Sequence, residues 1–419
     1  MTMHNRFKKE NTMNREQSIR LIGNGVFSVG SLIILSVLSG CFGNNADDGN
    51  DAQNENADGG DSDNNDAEMV MDGQALPDSV EMSVGEIDVL TGLDGMGYQN
   101  GNPDDTKLNH PAGIVPFDDG FLITDSGNHT LRYVSMSGQS ETFAGSYDAY
   151  DAYGEPEGRF DDGAGEEAGF DTPLGLVYDE DSALLYVADA GNGAIRSVTE
   201  DGDVSTVVED LAYPTDVVLL DGSLIVAEAR AHVLTLVNPE NGETEHLAGG
   251  GYEEEGGEYV GRFADGTGED AGFNEPFGLA VSGDTLIVAD SGNQRIRQVT
   301  LDGAVTTLAG SGEDLIPGAD YITPGSDDGP VGEAGFHFPR GVAVISSGAI
   351  LVADTYNHRL RLITEDEVLP VAGHGVHGMV NGPVEDALFD GPYHVAVFGE
   401  RILVTDHWNH MIREVELVE

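Results

Sequence analysis

The chain repeats one pattern of residues six times, with gaps of unequal length between the copies. In each copy an apolar segment, a polar turn and a second apolar segment follow one another, as in LIVADSGNQRIRQV from Leu286 to Val299. Ahead of each copy, a proline begins a further apolar segment. Short apolar runs separated by polar turns predict antiparallel strands. A motif that recurs in this way indicates that each copy is one unit of a larger repeat architecture.

A fourth apolar segment follows most copies, such as AVTTLAG from Ala304 to Gly310, so each unit holds four short strands. Four-stranded units arranged radially form a β-propeller, which protects its sheet edges by closing the ring. The sixth unit ends after three strands, and the missing segment, GEIDVLTG from Gly85 to Gly92, stands before the first unit. We therefore predict an all-β, six-bladed β-propeller over residues 85–419, its last blade completed by the N-terminal strand.

These residues resemble the NHL repeat. The resemblance rests on Pro-x-Gly ahead of an apolar strand and on V-A-D-x-x-N-x-x-[IL]-R-x-[VI] after it, and it covers residues 85–419. It implies an interaction module more often than an enzyme. The third unit departs from the pattern, since Glu228, Ala231 and Thr235 replace the usual Asp, Asn and Arg. In the sixth unit His394 replaces the glycine after the proline.

One acidic and one basic residue recur at fixed positions of five units. Because the chain has only 18 Lys and Arg against 76 Asp and Glu, five arginines at one repeat position favour a structural role. We expect bidentate pairing of each arginine with a carboxylate, for which its planar fork is suited. The acids are Asp125, Asp189, Asp290, Asp354 and Asp406, and the arginines are Arg132, Arg196, Arg297, Arg361 and Arg413. The asparagines between them, such as Asn293, are expected to be left-handed turn residues.

Several units are separated by inserts that share the pattern D-G-x-x-x-x-A-G-F, which indicates ordered loops between blades. Their acids are oxygen ligands of the kind that Ca²⁺ takes, although they lack EF-hand spacing. A calcium site is therefore an alternative to plain acidic turns at Asp161, Asp162, Glu166, Asp265 and Glu269.

Ligand contact is expected where the units differ. The residue after each proline begins the innermost strand near one mouth of the central channel, and mouths of closed β architectures are favoured ligand sites. These residues are Ala112, Leu174, Thr215, Phe277, Arg340 and Tyr393. We predict ligand contact by Thr215, Phe277, Arg340, Tyr393 and His394, with drift at an exposed rim as the alternative.

Histidines raise the alternative of an enzyme. Some NHL-like lyases and gluconolactonase-type propellers use a metal in the channel, and zinc takes histidine ligands. His374 and His377 lie in the loop GHGVHG, ahead of His394. This alternative is a metal-dependent lyase or lactonase-like hydrolase with these three residues at its centre. Our main prediction is a protein with no catalytic residue and no cofactor, and a bound Ca²⁺ or Zn²⁺ ion is the alternative.

The N-terminal segment has the design of an export signal. Arg15 and Arg20 precede an uncharged stretch that ends in Leu38-Ser39-Gly40-Cys41. These four residues resemble the lipobox of bacterial or archaeal lipoproteins, which implies a signal peptide over residues 1–40 and lipid attached to Cys41. The start could be Met1 or Met13. An uncleaved transmembrane helix is the alternative, although glycine and polar residues dilute the first half of the stretch.

Residues 41–84 are expected to form an acidic, disordered tether, because they have too few apolar side chains to build a core. The whole chain has a formal net charge of −58. This acidity argues against nucleic acid and anionic lipid headgroups as partners. It favours adaptation to high salt, where a short Debye length screens self-repulsion, over a surface that collects cations.

Together these features predict a monomeric, lipid-anchored propeller on the extracytoplasmic side of a membrane, in the periplasm or at the cell surface. We expect it to act as a non-catalytic binding or scaffold module for a protein, peptide or glycan.

Overall fold

The computed structural model describes residues 83–250, 252–253, 259–399 and 401–418. These residues form six antiparallel sheets of four or five strands, arranged as the blades of a β-propeller, which confirms the predicted fold class. The predicted signal peptide, Cys41 and the tether up to residue 82 lie outside the described residues. Within the described part of the chain, no helix has the length and apolar character needed to cross a membrane.

Each blade begins at its axis with the strand that starts at the repeat proline. The first strand of the chain, β1, spans Ser83–Thr91 and belongs to the last blade. Blade 1 contains β2 to β5, at Pro111–Phe117, Gly120–Asp125, Thr130–Ser135 and Ser140–Ala144. Blade 2 contains β6 to β10, at Gly163–Ala164, Pro173–Asp179, Leu184–Asp189, Ala194–Thr199 and Asp203–Val208. Blade 3 contains β11 to β14, at Pro214–Leu220, Ser223–Glu228, Val233–Val237 and Thr244–Gly249.

A short ribbon of β15 (Tyr252–Glu253) and β16 (Tyr259–Val260) follows blade 3. Blade 4 contains β17 to β21, at Gly266–Thr267, Pro276–Ser282, Thr285–Asp290, Arg295–Thr300 and Ala304–Ala309. Blade 5 contains β22 to β26, at Gly329–Pro330, Pro339–Val344, Ile350–Asp354, Arg359–Ile363 and Glu367–Ala372. Blade 6 contains β27 to β30, at Gly382–Pro383, Pro392–Phe398, Arg401–Asp406 and Met411–Val418. Six short 3₁₀ helices are Ser126–Asn128, Gly165–Glu167, Gly268–Asp270, Ser291–Asn293, Thr355–Asn357 and His407–Asn409.

The ring is closed by hydrogen bonds between the two ends of the described chain. Strand β1 pairs antiparallel with β30, with Ile87 opposite Val415 and Val89 opposite Arg413. The predicted closure by the N-terminal strand is therefore confirmed. The strand begins at Ser83, so the last residues of the predicted tether belong to the sheet instead, where Ser83 pairs with Val418.

The core lies between neighbouring blades. Six apolar clusters occupy the six interfaces, and each draws its buried side chains from two adjacent sheets. In the cluster between blades 5 and 6, Leu351 packs with Val404 and with Ile87 of the closing strand. Central strands such as β24 are buried along their whole length because each of their two faces meets another sheet. Removing β1 would therefore open both an edge and an interface.

The repeated acid and arginine form a fully buried cluster in each of five blades. In blade 4, Arg297 Nη1 donates to Asp290 Oδ2 over 2.5 Å, and both side chains have no exposed surface. The other oxygen of Asp290 accepts the backbone N–H of Asn274 over 2.8 Å. Corresponding ion pairs join Arg132 to Asp125, Arg196 to Asp189, Arg361 to Asp354 and Arg413 to Asp406. Burial raises the pKa of Asp125, Asp189 and Asp406 to about 6 against the lowering effect of the arginines, so these acids are ionised at neutral pH.

Two details of this cluster differ from the expectation. The pairing is not bidentate, since Arg297 Nη2 donates instead to Asp265 Oδ1 over 2.7 Å and to the carbonyl oxygen of Ala264. The second oxygen of each repeat acid is already occupied by a backbone N–H. The asparagine is not left-handed either: Asn293 Nδ2 donates to Asp290 Oδ2, and the next residue, Gln294, has a φ of 54°.

The inserts between blades complete these clusters. Asp162 and Asp265 accept from Arg196 and Arg297 over 2.7 Å each, and Asp328 accepts from Arg361 over 2.6 Å. The phenylalanine of each insert is buried against the same guanidinium, as Phe273 is, 5.4 Å from Arg297. Two acids of the proposed calcium site therefore serve as partners of arginine. The repeated insert pattern is explained by packing.

Blade 3 replaces this chemistry with a longer acid. Glu228 stands at the position of the repeat aspartate and accepts the N–H of Ala212 over 2.6 Å. It also accepts the hydroxyl of Thr235, which stands where the other blades have arginine. The extra methylene of Glu228 brings its carboxylate to a partner that is shorter than arginine. The turn of blade 3 is thus satisfied without an ion pair.

Four histidines connect neighbouring blades. In the turns of blades 1, 3, 5 and 6 the left-handed residue is a histidine, and its Nδ1 atom accepts a backbone N–H of the next blade. His129 accepts from Thr172, His232 from Glu275, His358 from Gly391 and His410 from His110. In blade 4, Gln294 Oε1 does the same for Phe338 over 2.6 Å. Burial lowers the pKa of His232, His358 and His410, and protonation of Nδ1 in these three would break the contact between blades.

Candidate functional site

A local irregularity turns the start of each innermost strand toward the axis. Regular pairing with the second strand breaks immediately after every repeat proline, for example between Pro276 and Leu279. Such a bulge re-aims the side chains next to it. One cavity on the axis is lined by Ala112, Gly113, Leu174, Gly175, Thr215, Asp216, Phe277, Gly278, Arg340, Tyr393 and His394. We call this end of the channel the proline mouth.

All five residues predicted to contact ligand line this cavity: Thr215, Phe277, Arg340, Tyr393 and His394. The cavity is small, with room for about one water molecule. A larger ligand would therefore sit over the proline mouth and place only a small group inside. Thr215 has a structural role, since its hydroxyl lies within hydrogen-bond distance of carbonyl oxygens of neighbouring strands, among them that of Phe277 at 3.0 Å.

Arg340 is the only arginine or lysine that lines the cavity. Its guanidinium carbon lies 4.5 Å from the ring centre of Tyr393, 4.8 Å from that of Phe277 and 5.9 Å from that of Tyr356. Cations are attracted to the faces of aromatic rings at such distances. Burial lowers the pKa of Arg340, but Tyr393, Tyr356 and Glu275 outweigh this effect, so the guanidinium stays charged. The rings hold the guanidinium in place without neutralising it.

Asp216 is a cavity residue that we did not predict. It is buried, and its two oxygens accept the N–H groups of Val217 and Leu279 over 2.8 Å each. Asp216 Oδ2 lies 3.8 Å from His394 Nε2, across the axis from blade 6. The Nδ1 atom of His394 is buried with no hydrogen-bond partner among the described residues. The sequence does carry a signal for Asp216, because this residue stands in the third unit at the position where four other units have a glycine.

The glycines of those other units allow neighbouring blades to approach at the axis. A Cβ atom on Gly175 would lie 1.9 Å from Asp216 Oδ1, and one on Gly341 would lie 2.7 Å from the Cα of His394. The two non-glycine residues at this position, Asp216 and His394, therefore each depend on a glycine in the preceding blade.

Aromatic residues surround the proline mouth. The Tyr393 ring stacks on His407 at 4.3 Å, and the ring centres of Tyr356 and Trp408 are 5.1 Å apart. Burial lowers the pKa of His407 well below its usual value, so this histidine is neutral and its Nδ1 lies 3.0 Å from the carbonyl oxygen of Pro111. Tyr213 packs against the cluster of Tyr393, and the Arg230 guanidinium lies 4.4 Å from the Tyr213 ring centre.

The sequence did not single out Tyr213, Arg230, Tyr356 or Trp408, which belong to the turns between strands. The second residue after the repeat acid is glycine in blades 1, 2 and 4, and is Arg230, Tyr356 and Trp408 in blades 3, 5 and 6. This position therefore carries a signal for Arg230, Tyr356 and Trp408, whereas Tyr213, which precedes Pro214, lies outside it.

The three histidines of the alternative metal site do not come together. His374 and His377 are exposed on a loop, whereas His394 lines the cavity. No group of three or more His, Cys, Asp or Glu side chains suited to a metal ion occurs within the described ranges. His377 lies instead near the ring of His358, at 5.8 Å between ring centres.

Comparison with known proteins supports the repeat assignment. Residues 273–299 and 336–361 match the family model of the NHL repeat. These two segments of the chain are therefore similar to the NHL repeat. They include the buried pairs of Asp290 with Arg297 and of Asp354 with Arg361. The NHL segments thus coincide with parts of blades 4 and 5.

Curated relatives include Protein Suppressor of Quenching 1, chloroplastic, from Arabidopsis thaliana, 27% identical over 283 residues, which covers 62% of this chain and 26% of that protein. NHL repeat-containing protein 2 from Bos taurus is 27% identical over 345 residues, which covers 71% of this chain and 44% of that protein. The chain spans less than half of the length of these relatives.

Among solved structures, a structural genomics protein of unknown function from Bacteroides thetaiotaomicron superposes with a TM-score of 0.59 at 16% identity. The superposition covers 80% of this chain and 76% of that one. It supports the propeller fold that the NHL segments indicate.

Proposed function

We propose that this chain is an NHL-repeat propeller that binds a protein, peptide or glycan at the proline mouth and does not act as an enzyme. The observation that carries the proposal is the convergence of the unrepeated residues. The units repeat their structural residues, whereas the positions that differ, Phe277, Arg340, Tyr393, Asp216 and His394, meet in one cavity.

The composition of the proline mouth also favours binding. Tryptophan, tyrosine and arginine contribute most of the binding energy at protein interfaces. The mouth collects Tyr213, Tyr356, Trp408, Arg230 and Arg340 in a chain that has one tryptophan and 18 basic residues. The rings are partly exposed, so they are accessible to a ligand.

We further propose that the chain is exported and anchored by lipid on Cys41, with the acidic tether holding the propeller away from the membrane. The support is the lipobox-like sequence and the composition that follows it. Several lipid chains would give stable anchoring, because each buried methylene contributes about 0.8 kcal/mol. Cys41→Ser should move the protein from the membrane fraction to the soluble fraction. Equal membrane recovery of both forms would contradict the anchor.

The binding face is tested by photocrosslinking in the cells that make the protein. A benzophenone side chain is placed at Tyr356, on the proline mouth, or at Ser347, an exposed residue at the opposite end of the same blade. We expect adducts with a defined partner from position 356 and none with that partner from position 347. Adducts from position 347 alone would place the working face at the other end and refute the proposal.

A further inference from the structure

Two arginines at the proline mouth lack the partners that the others have. Among the described residues, the remaining arginines pair with a carboxylate or donate to a backbone carbonyl, as Arg262 and Arg295 do. Arg340 and Arg230 do neither, and their guanidinium groups lie against aromatic rings instead. Both guanidinium groups act on the same side chain, since each lowers the pKa of Tyr213 while burial raises it.

The cost of burial concerns Arg340, whose charge is supported by aromatic rings and by Glu275 but by no ion pair, whereas Arg230 is exposed. Removing a charged group from water carries a large penalty unless a partner compensates for it. The chain has a net charge of −58, so acidic partners are abundant elsewhere on it. Glu275 is the acid that acts on Arg340 over a longer distance, and its Oε1 accepts the hydroxyl of Tyr321 over 2.8 Å. A residue that is held in place and left unpaired is suited to pair with a ligand.

The surroundings select among anions. A guanidinium binds a carboxylate through two parallel hydrogen bonds, and binds phosphate as well. Here Asp216 lines the same cavity, so repulsion of the ligand grows with each negative charge that it carries. The cavity has room for about one water molecule, which suits one carboxylate oxygen better than a phosphate group. A monoanion is therefore favoured over a dianion.

We propose that the proline mouth binds the carboxylate of a small ligand or ligand end group, with Arg340 inside, Arg230 at the rim and the rings of Tyr356 and Trp408 against the body of the ligand. This inference rests on the proposed function, because it assigns the chemistry of the same site. A peptide C-terminus and an acidic sugar share this chemistry.

The test uses the full chain and its single tryptophan, Trp408, as the reporter. N-acetylphenylalanine models a peptide C-terminus, glucuronate models an acidic sugar, and inorganic phosphate is the dianionic comparison. N-acetylphenylalanine amide is the neutral control. We expect a saturable change in fluorescence with at least one of the two carboxylates, and the tighter of them identifies the source. Calorimetry repeats each titration, so that a probe that binds without changing fluorescence is still detected.

Variants assign the binding to Arg340. Arg340→Gln should raise the dissociation constant of the carboxylate ligand by at least about tenfold, since a hydrogen bond to a charged group contributes about a factor of ten or more to affinity. Arg340→Lys should weaken it less, because the charge remains. Arg401→Gln is the matched control, since Arg401 pairs with Glu414 at the other end of blade 6, and it should bind as the native protein does.

Stability separates a ligand-binding arginine from a structural one. Without ligand, Arg340→Gln should lower Tm by no more than about 3 °C, because it removes cation–π contacts but no ion pair. A larger loss of thermal stability would assign Arg340 to the fold and overturn the inference. So would equal affinity for the neutral amide, tighter binding of phosphate, or no binding of either carboxylate. If position 356 still captures a partner while both carboxylates fail, the carboxylate inference is wrong and the proposed function stands. If the carboxylates bind while only position 347 captures a partner, the carboxylate inference is supported and the proposed function is wrong.

Discussion

The buried repeat arginines allow a quantitative prediction. Arg297 makes four hydrogen bonds, to the carboxylates of Asp290 and Asp265 and to the carbonyl oxygens of Gly272 and Ala264. Its guanidinium also lies 5.0 Å from the ring centre of Phe263. In Arg297→Lys the ammonium keeps the charge, but a single nitrogen cannot reach both sides of this cluster. We expect it to retain Asp290 and to lose the partners of Nη2.

The expected loss follows from these contacts. One hydrogen bond to a charged group and one to a carbonyl are together worth about 2–4 kcal/mol, and the lost stacking adds about 0.5 kcal/mol. Unfolding entropy is about 2.1 cal/mol/K per residue, or about 0.7 kcal/mol/K for about 335 residues. A loss of about 3 kcal/mol therefore lowers Tm by about 4 °C.

Differential scanning calorimetry at fixed salt measures this shift. Arg401→Lys is the control, because Arg401 is 37% exposed and its pair with Glu414 is expected to contribute less than about 1 kcal/mol. Its Tm should change by less than about 2 °C. If Arg297→Lys melts with the native protein, or if both variants shift equally, the forked shape of arginine is not the reason for its repetition.

Three further predictions concern closure, pH and the axis. Deleting residues 83–91 exposes the edge of β30 and should lower Tm by more than about 10 °C or cause aggregation, as seen by circular dichroism and gel filtration; an unchanged melt would contradict the closed ring. Burial lowers the pKa of His410 to about 4 from 6.5, so the unfolded chain binds more protons between these values and stability falls as pH drops through this window. After allowing for partial exposure, the loss of unfolding free energy at pH 5 is about 1 kcal/mol. His410→Gln, which places at this position the residue that blade 4 has at Gln294, should reduce the pH dependence of stability measured by urea unfolding. An unchanged pH dependence would refute the role of this contact. Gly175→Ala would place a methyl group against Asp216 and should destabilise by about 1–3 kcal/mol in the same assay, whereas native stability would show that the blades can separate there.

Much of the fold was predictable because it depends on repetition. Each unit carries its own strands, its turn and its Asp–Arg pair, as Asp290 and Arg297 illustrate, and six copies of one pattern leave few ways to bury their apolar faces. The missing fourth strand at one end and the extra strand at the other predicted closure. The prediction of bidentate pairing was wrong because it took into account only the arginine and the aspartate. The second oxygen of the aspartate belongs to a backbone N–H from another segment, Asn274, which the repeat pattern does not reveal.

The candidate site was predicted only in part. The position after the repeat proline predicted Phe277, Arg340 and Tyr393 as site residues, because every unit places the residue at this position near the axis. Asp216 was not predicted although it replaces the repeat glycine of the same pattern. Trp408 was not predicted because it lies in a turn, two positions after the repeat acid, and not on the innermost strand.

The sequence by itself determined the number of blades, the order of strands and the way the ring closes, since these depend on local patterns repeated along the chain. Only the tertiary structure decided that Asp216 and His394 face each other across the axis, and that Arg340 stands among aromatic rings without a carboxylate. These contacts join blades that are far apart in the chain. They depend on how closely the glycines let neighbouring blades approach, which is a property of packing.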